Sequence, residues 1–206
     1  MHTPTKLALA SMTAAFALAL AVSSASAGRL SFSHTLMRTT FNPLTFSGPF
    51  GAFAKCPITL ESSYHAATIT KVIGTLLGAV TRAIRGTCSQ GGVTVLSETL
   101  PWHLQYGGIV GTLPRFTGVK ERVVGFALRF QESVFGINCL MRTTEAVPLI
   151  GIFEGITYEA SGNGIVTRLV LEPNASIPCG STNFAFEGTG SVTDNTGARN
   201  VLIRLI

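Results

Sequence analysis

Between Cys88 and Phe130 the chain reads CSQGGVTVLSETLPWHLQYGGIVGTLPRFTGVKERVVGFALRF, three extended runs joined by Gly-rich corners. Apolar residues recur there at every second position, as expected where successive side chains point to opposite faces of a sheet. Gly91-Gly92 and Gly107-Gly108 punctuate the runs, and glycine pairs mark corners because they accept backbone angles that other residues resist. The remaining composition agrees. Charged residues make up 12%, about half the usual ~25%, with 22 glycines and one Asp, Asp194. Low charge and β-branched alternation between glycine corners predict an all-β chain.

The N-terminus obeys different rules. Lys6 precedes an apolar run, Leu7 to Val22, and Ala25-Ser26-Ala27 forms an A-x-A box. The run falls short of the ~20 residues that cross a membrane as a helix. It predicts a signal peptide over 1–27 and one exported domain over 28–206, secreted or held at the cell envelope. No later segment is apolar for long enough to span as a helix. The formal charge is +5, but the cations stand singly with no aromatic ladder between them, which describes a solvated β-surface rather than a nucleic-acid interface.

Cys56, Cys88, Cys139 and Cys179 would enter an oxidising space. They form no C-x-x-C cluster, so two structural disulfides are expected instead of a metal site. Four cysteines permit three pairings. Cys56–Cys88 and Cys139–Cys179 are preferred because each joins neighbouring strand segments.

Along the domain, LSFSHTLM and NPLTFS are short extended runs, and Ser47 to Gly51 reads as a turn. From Phe53 to Tyr64, Cys56, Ile58, Leu60 and Tyr64 share one face. Thr68 to Arg85 has helical spacing, but Gly74 and Gly78 and the β-branched content favour two short strands. In Val93–Tyr106 an unbroken register would put Leu96, Glu98, Leu100, Trp102, Leu104 and Tyr106 on one face, with Pro101 marking an edge or a bulge. In Val119–Phe130, Val124, Phe126, Leu128 and Phe130 share one face and Glu121 and Arg129 the other. Ile152–Ala160 and Ile165–Leu171 form a hairpin with Asn163-Gly164 as its primed turn. Phe184–Val192 and Arg199–Ile206 form a second, across Asp194 to Gly197. About ten strands with such corners predict a single antiparallel β-barrel or β-sandwich stapled by disulfides.

The segments CPITLESSYH, TITKVIGTLLGAVTRA, CSQGGVTVLSETLPWHLQYGGIVGTLP and FEGTGSV, most specifically Glu98 to His103, resemble a family of uncharacterised small secreted proteins of actinomycete-type bacteria. The resemblance implies export and brings no activity, cofactor or catalytic residue.

Few residues invite chemistry. Glu98 would face the buried side of its strand, where a carboxylate needs a partner or a proton. Glu98 and His103 are therefore the candidates for a hydrolase. His65 and His103 with a carboxylate could hold a metal, but their spacing does not favour one, and His34 has no companion. Asp194 sits in turn chemistry. Glu61 and Glu98 could pair as glycosidase carboxylates only as any two glutamates could. There is no G-x-S-x-G elbow and no phosphate loop, and Asn174-Ala175-Ser176 matches a glycosylation sequon. The expected function is that of a non-enzymatic exported β-domain, binding or structural, without cofactor or metal. A calyx-like carrier of a small apolar ligand is the first alternative and a hydrolase using Glu98 and His103 the second. A membrane β-barrel comes last.

Overall fold

A computed structural model describes residues 29–48, 51–89, 91–132, 137–171, 177–179 and 182–206. The expected signal peptide, the Pro49-Phe50 part of the first turn and the Asn174 sequon lie outside the described residues. In chain order the strands begin with β1 (Arg29–Phe32), β2 (Leu36–Gly48), β3 (Gly51–Tyr64), β4 (Thr68–Thr70), β5 (Leu76–Arg85) and β6 (Gly92–Val95). A 3-10 turn over Ser97–Thr99 leads to β7 (Trp102–Gly111), β8 (Phe116–Val124), β9 (Ala127–Glu132), β10 (Ile137–Arg142) and β11 (Leu149–Glu154). The chain closes with β12 (Thr157–Tyr158), β13 (Gly164–Val166), β14 (Arg168–Leu171), β15 (Ile177–Cys179), β16 (Thr182–Asp194) and β17 (Val201–Leu205).

The all-β expectation holds, and a barrel is the form it takes. β2, β3, β5, β7, β8, β11, β14 and β16 pair antiparallel in that order, and β16 returns to β2, closing an eight-stranded barrel. Each barrel strand follows the previous one in the chain, so the wall is an up-and-down meander. Closure leaves its strands no free edge. Eight strands enclose a space that side chains can just fill. Met37, Phe41, Leu44 and Phe46 of β2 point in, as do Leu104 of β7 and Phe186 of β16, all at most 2% exposed. Aromatic rings interlock inside: Phe46 meets Phe186 at 5.1 Å, Phe186 meets Phe126 at 5.3 Å, and Phe126 meets Trp102 at 4.6 Å between centroids.

The outward positions mix charged side chains with exposed apolar ones such as Leu36, Leu76 and Ile84. Arg38 of β2 pairs with Glu61 of β3 at 3.0 Å, and Arg82 of β5 approaches the same carboxylate at 3.5 Å. Lys55, Lys120 and Arg122 lie on the same outer face. A lipid-embedded barrel alternates the other way, apolar outside and polar within.

The remaining strands gather at the two ends. β4, β12 and β13 from connections at one end, with β1 before the first wall strand and β17 after the last, form a five-stranded sheet, β12-β13-β17-β1-β4. This sheet turns Leu30, Phe32, Ile69, Val166, Val201 and Ile203 into the common core. Phe32 lies 5.4 Å from the ring of Tyr64 and 6.5 Å from that of Phe153, both barrel residues. At the opposite end β10, β9 and β6 form a three-stranded sheet, with β15 beside β10. Phe126, Leu128, Phe130 and Met141 are buried there. Each mouth of the barrel is therefore covered by a sheet built from the short strands that flank the wall strands at that end.

Several local expectations are corrected. Strands β1 to β17 exceed the expected ten because short connecting strands build the two covers. The central run Val93–Tyr106 breaks at the Ser97–Thr99 turn, so β6 joins an end sheet while β7 joins the wall. Asn163-Gly164 is not the hairpin turn. Gly162, at φ +85°, closes a turn in which its N–H donates to Glu159 O at 3.0 Å, although the two runs do pair as a hairpin, with Ile152 opposite Val170 and Thr157 opposite Ile165. β17 does not pair with β16; it lies between β13 and β1. Pro43 sits where β2 shifts register between Phe41 and Leu44, a place where its missing N–H breaks no regular ladder. Thr68–Arg85 does form two strands, separated by a turn containing Gly74.

Candidate functional site

The barrel interior holds one buried carboxyl group among the described residues, Glu121, and a tyrosine pointed at it. On β8, Val119, Glu121 and Val123 face inward while Lys120 and Arg122 face out. Tyr64 closes the inward row of β3. β5 and β7 stand between β3 and β8 in the wall, so the two side chains meet across the interior, where Tyr64 Oη donates to Glu121 Oε1. Tyr64 is 4% exposed and Glu121 3%. Tyr106 and Gly151 are the cross-strand neighbours of Glu121, and Phe32 covers the Tyr64 ring from the end sheet.

Burial pushes the Glu121 carboxyl up to about 8, and the Tyr64 hydroxyl offsets only part of that rise. Burial, then the neighbouring Glu121 charge and hydrogen bond, hold Tyr64 well above its ordinary value. Burial also raises Tyr106. The two groups titrate as a pair, and at neutral pH both are uncharged. A carboxyl group that keeps its proton at pH 7 suits general-acid chemistry wherever a substrate can reach it. Here it is sealed from solvent, so the pair acts first as an internal cross-link between distant strands.

The residues singled out from sequence lie elsewhere. Glu98 belongs to the 3-10 turn and is exposed, because the strand breaks before it. His103 is exposed on the outer face of β7, opposite Ala79 and Val124. No hydrogen bond joins it to Glu98 among the described residues. His65 is exposed just beyond β3, and His34 lies in the short link before β2. The described residues contain no group of three His, Cys, Asp or Glu side chains placed for a metal ion. Glu61 is held in the arginine ladder on the barrel wall. Asp194 is a turn residue, as expected: the Thr196 hydroxyl and the N–H groups of Ala198 and Arg199 donate to its carboxylate. The Thr196 bond leads in holding it below the usual carboxylate range.

Cys56 and Cys88 form the expected disulfide, which ties β3 to the segment after β5. The other preferred pairing ends on Cys179, whose side chain lies outside the described residues. Its strand, β15, runs beside β10, which carries Cys139.

Glu121 was legible as polar but not as buried. Two cations flank it at 120 and 122, and valines sit two residues away on either side, a local signal for an inward carboxyl. Grouping it with Val124 to Phe130 hides this, because Gly125 at φ +84° interrupts the alternation between β8 and β9.

No family model, curated protein or solved structure matches the chain.

Proposed function

We propose that the protein is an exported, non-enzymatic β-barrel module that works through its outer surface. One observation carries this reading: the eight-stranded barrel is packed with side chains and both mouths are covered by sheets. An interior filled in this way acts as a rigid core, as in small barrels whose side chains interdigitate. The Arg38–Glu61–Arg82 ladder on the outside and the apolar packing within suit an aqueous or envelope setting better than lipid. The Cys56–Cys88 bridge suits an oxidising compartment, in keeping with cleavage after Ala27.

Native mass spectrometry of residues 28–206, purified without detergent, tests this reading. A mass equal to that of the polypeptide alone is expected. Extra mass that leaves only on denaturation would overturn it in favour of a carrier.

The carrier is the second reading, and the Tyr64–Glu121 pair favours it. A neutral carboxyl and a phenol inside an apolar barrel are the groups that would fix the polar head of a small apolar ligand. Such a ligand would have to displace Phe32 and its sheet to enter.

A further inference from the structure

We propose that a groove on the outside of the barrel binds a neutral carbohydrate; this deepens the outer-surface reading above and rests on it. The groove arises where one hairpin serves two sheets. β11 and β14 belong to the barrel wall, whereas β12 and β13, the far end of the same hairpin, leave it for the end sheet. The divergence opens a cleft of about 370 Å³ next to β7 and β8. Ligand sites occupy roughly 300–1,000 Å³.

The floor of the cleft is Gly118. A Cβ there would stand 2.9 Å from Ile152 Cγ2 and 3.1 Å from the Phe153 carbonyl oxygen, so a larger residue would push Ile152 or the adjoining strand aside and reshape the cleft. Val110, Ile152 and Ile156 make the walls apolar. Across this surface Arg168 Nε donates to Glu154 Oε1 at 3.0 Å, with the two side chains 52% and 32% exposed.

The ligand class follows from what that ion pair leaves unused. A guanidinium has five N–H donors and a carboxylate about four acceptor positions, and their mutual contact consumes one of each. Both side chains line the groove and are partly exposed, which leaves the remainder open to a ligand there. The pair is neutral as a whole, so a phosphate drawn to Arg168 meets Glu154, and an ammonium drawn to Glu154 meets Arg168. Adjacent hydroxyls on a neutral ring both donate and accept, and satisfy the two side chains together. The C–H face of such a ring can rest on Ile152 and Ile156 while the Thr157 hydroxyl closes the rim. A pyranose presents these features, an apolar face and a fringe of hydroxyls, without a charge.

Titration of the 15N-labelled protein with glucose, galactose and maltose tests the assignment, with glucose 6-phosphate and glucosamine as charged controls. At least one neutral sugar should give saturating amide shifts centred on Gly118, Ile152 to Thr157 and Arg168. Arg168→Met should weaken that binding at least tenfold with the melting temperature nearly unchanged, since exposed ion pairs contribute little to stability. Glu154→Gln, which keeps the shape and removes the charge, should reduce neutral-sugar binding and let glucose 6-phosphate bind at the same place. Absence of saturating shifts with all three neutral sugars, tighter binding of a charged control to the unmodified protein, or undiminished binding by the Arg168→Met variant would overturn the proposal. A molecule retained inside the barrel would instead overturn the outer-surface reading, and the two failures are separable because the shifts report their own location.

Discussion

Tyr64 and Glu121 lie 57 residues apart in the chain, yet one hydrogen bond joins them across the inside of the barrel. The bond links β3 to β8 past the two strands between them, and it sits directly beneath the cover formed by β1. This geometry makes the pair a reporter for the whole closed end.

The first prediction concerns pH. The Glu121 carboxyl has an ordinary value of 4.5 and is raised to about 8 in the folded protein. Below about pH 4.5 folded and unfolded chains both hold the proton, and its contribution to stability is complete. As pH rises through the interval to about 8, the unfolded chain releases the proton more readily, and that contribution is lost. Chemical denaturation should show stability falling between pH 5 and pH 9, and Glu121→Gln should flatten this region of the profile. An unchanged slope in the variant would show that Glu121 is not the responsible group.

Removing the tyrosine hydroxyl should have two effects. Tyr64→Phe leaves a buried carboxyl without its donor, at a cost of about 1–3 kcal/mol. Because the Tyr64 bond lowers the Glu121 value, the variant should also shift the pH-dependent loss toward higher pH. A shift toward lower pH would contradict the assigned direction of the bond.

Trp102 is fully buried, packs edge-on against Phe126 at 4.6 Å, and donates from Nε1 to Thr99 Oγ1 at 2.8 Å. Trp102→Ala should cost about 3–5 kcal/mol. Thr99→Val should cost about 1 kcal/mol by leaving the indole N–H unpaired. A loss below about 1 kcal/mol for the Trp102 variant would place the indole outside the packed core.

The Cys56–Cys88 bridge closes a sequence separation of 32. In the chain-entropy model its loss should cost roughly 3–4 kcal/mol, read as a lower melting temperature for the Cys56→Ser, Cys88→Ser variant. An unchanged melting temperature would deny the bridge a stabilising role. The proposed Cys139–Cys179 bridge is checked by intact mass: four hydrogens below the fully reduced value with both bridges, two with one.

Glu98→Gln and His103→Ala change exposed side chains outside the core. Each should alter stability by no more than about 0.5 kcal/mol. A larger loss would assign either residue a structural contact that its position does not provide.

The local pattern is legible where neighbours along the chain decide it. Ala54–Leu60 alternates in the sequence and in the barrel, Gly74 separates the two strands of 68–85 while Gly78 lies within the second, and Asp194 is a turn residue in both. The Cys56–Cys88 pairing agrees for a related reason, since it spans one connection of the meander. An unbroken register through Leu96 to Leu100 misplaces Glu98, because the chain there makes a 3-10 turn and moves from one sheet to another. Glu121 is misplaced in the same way when the alternation is followed through Gly125 as if the strand continued.

Alternation, corners and burial preference are properties of short stretches, so the sequence by itself determined the strands, most of their inward faces and the all-β class. Which strands meet depends on partners far apart in the chain, and only the tertiary structure decided those. It returned β16 to β2 to close the wall, sent β17 to the end sheet instead of a final hairpin, and drew Tyr64 and Glu121 together. The physical reason is that a strand's pattern names the face it buries but not the neighbour it bonds. Closure satisfies all eight wall strands at once, and the short connecting strands are left to cover what the wall encloses.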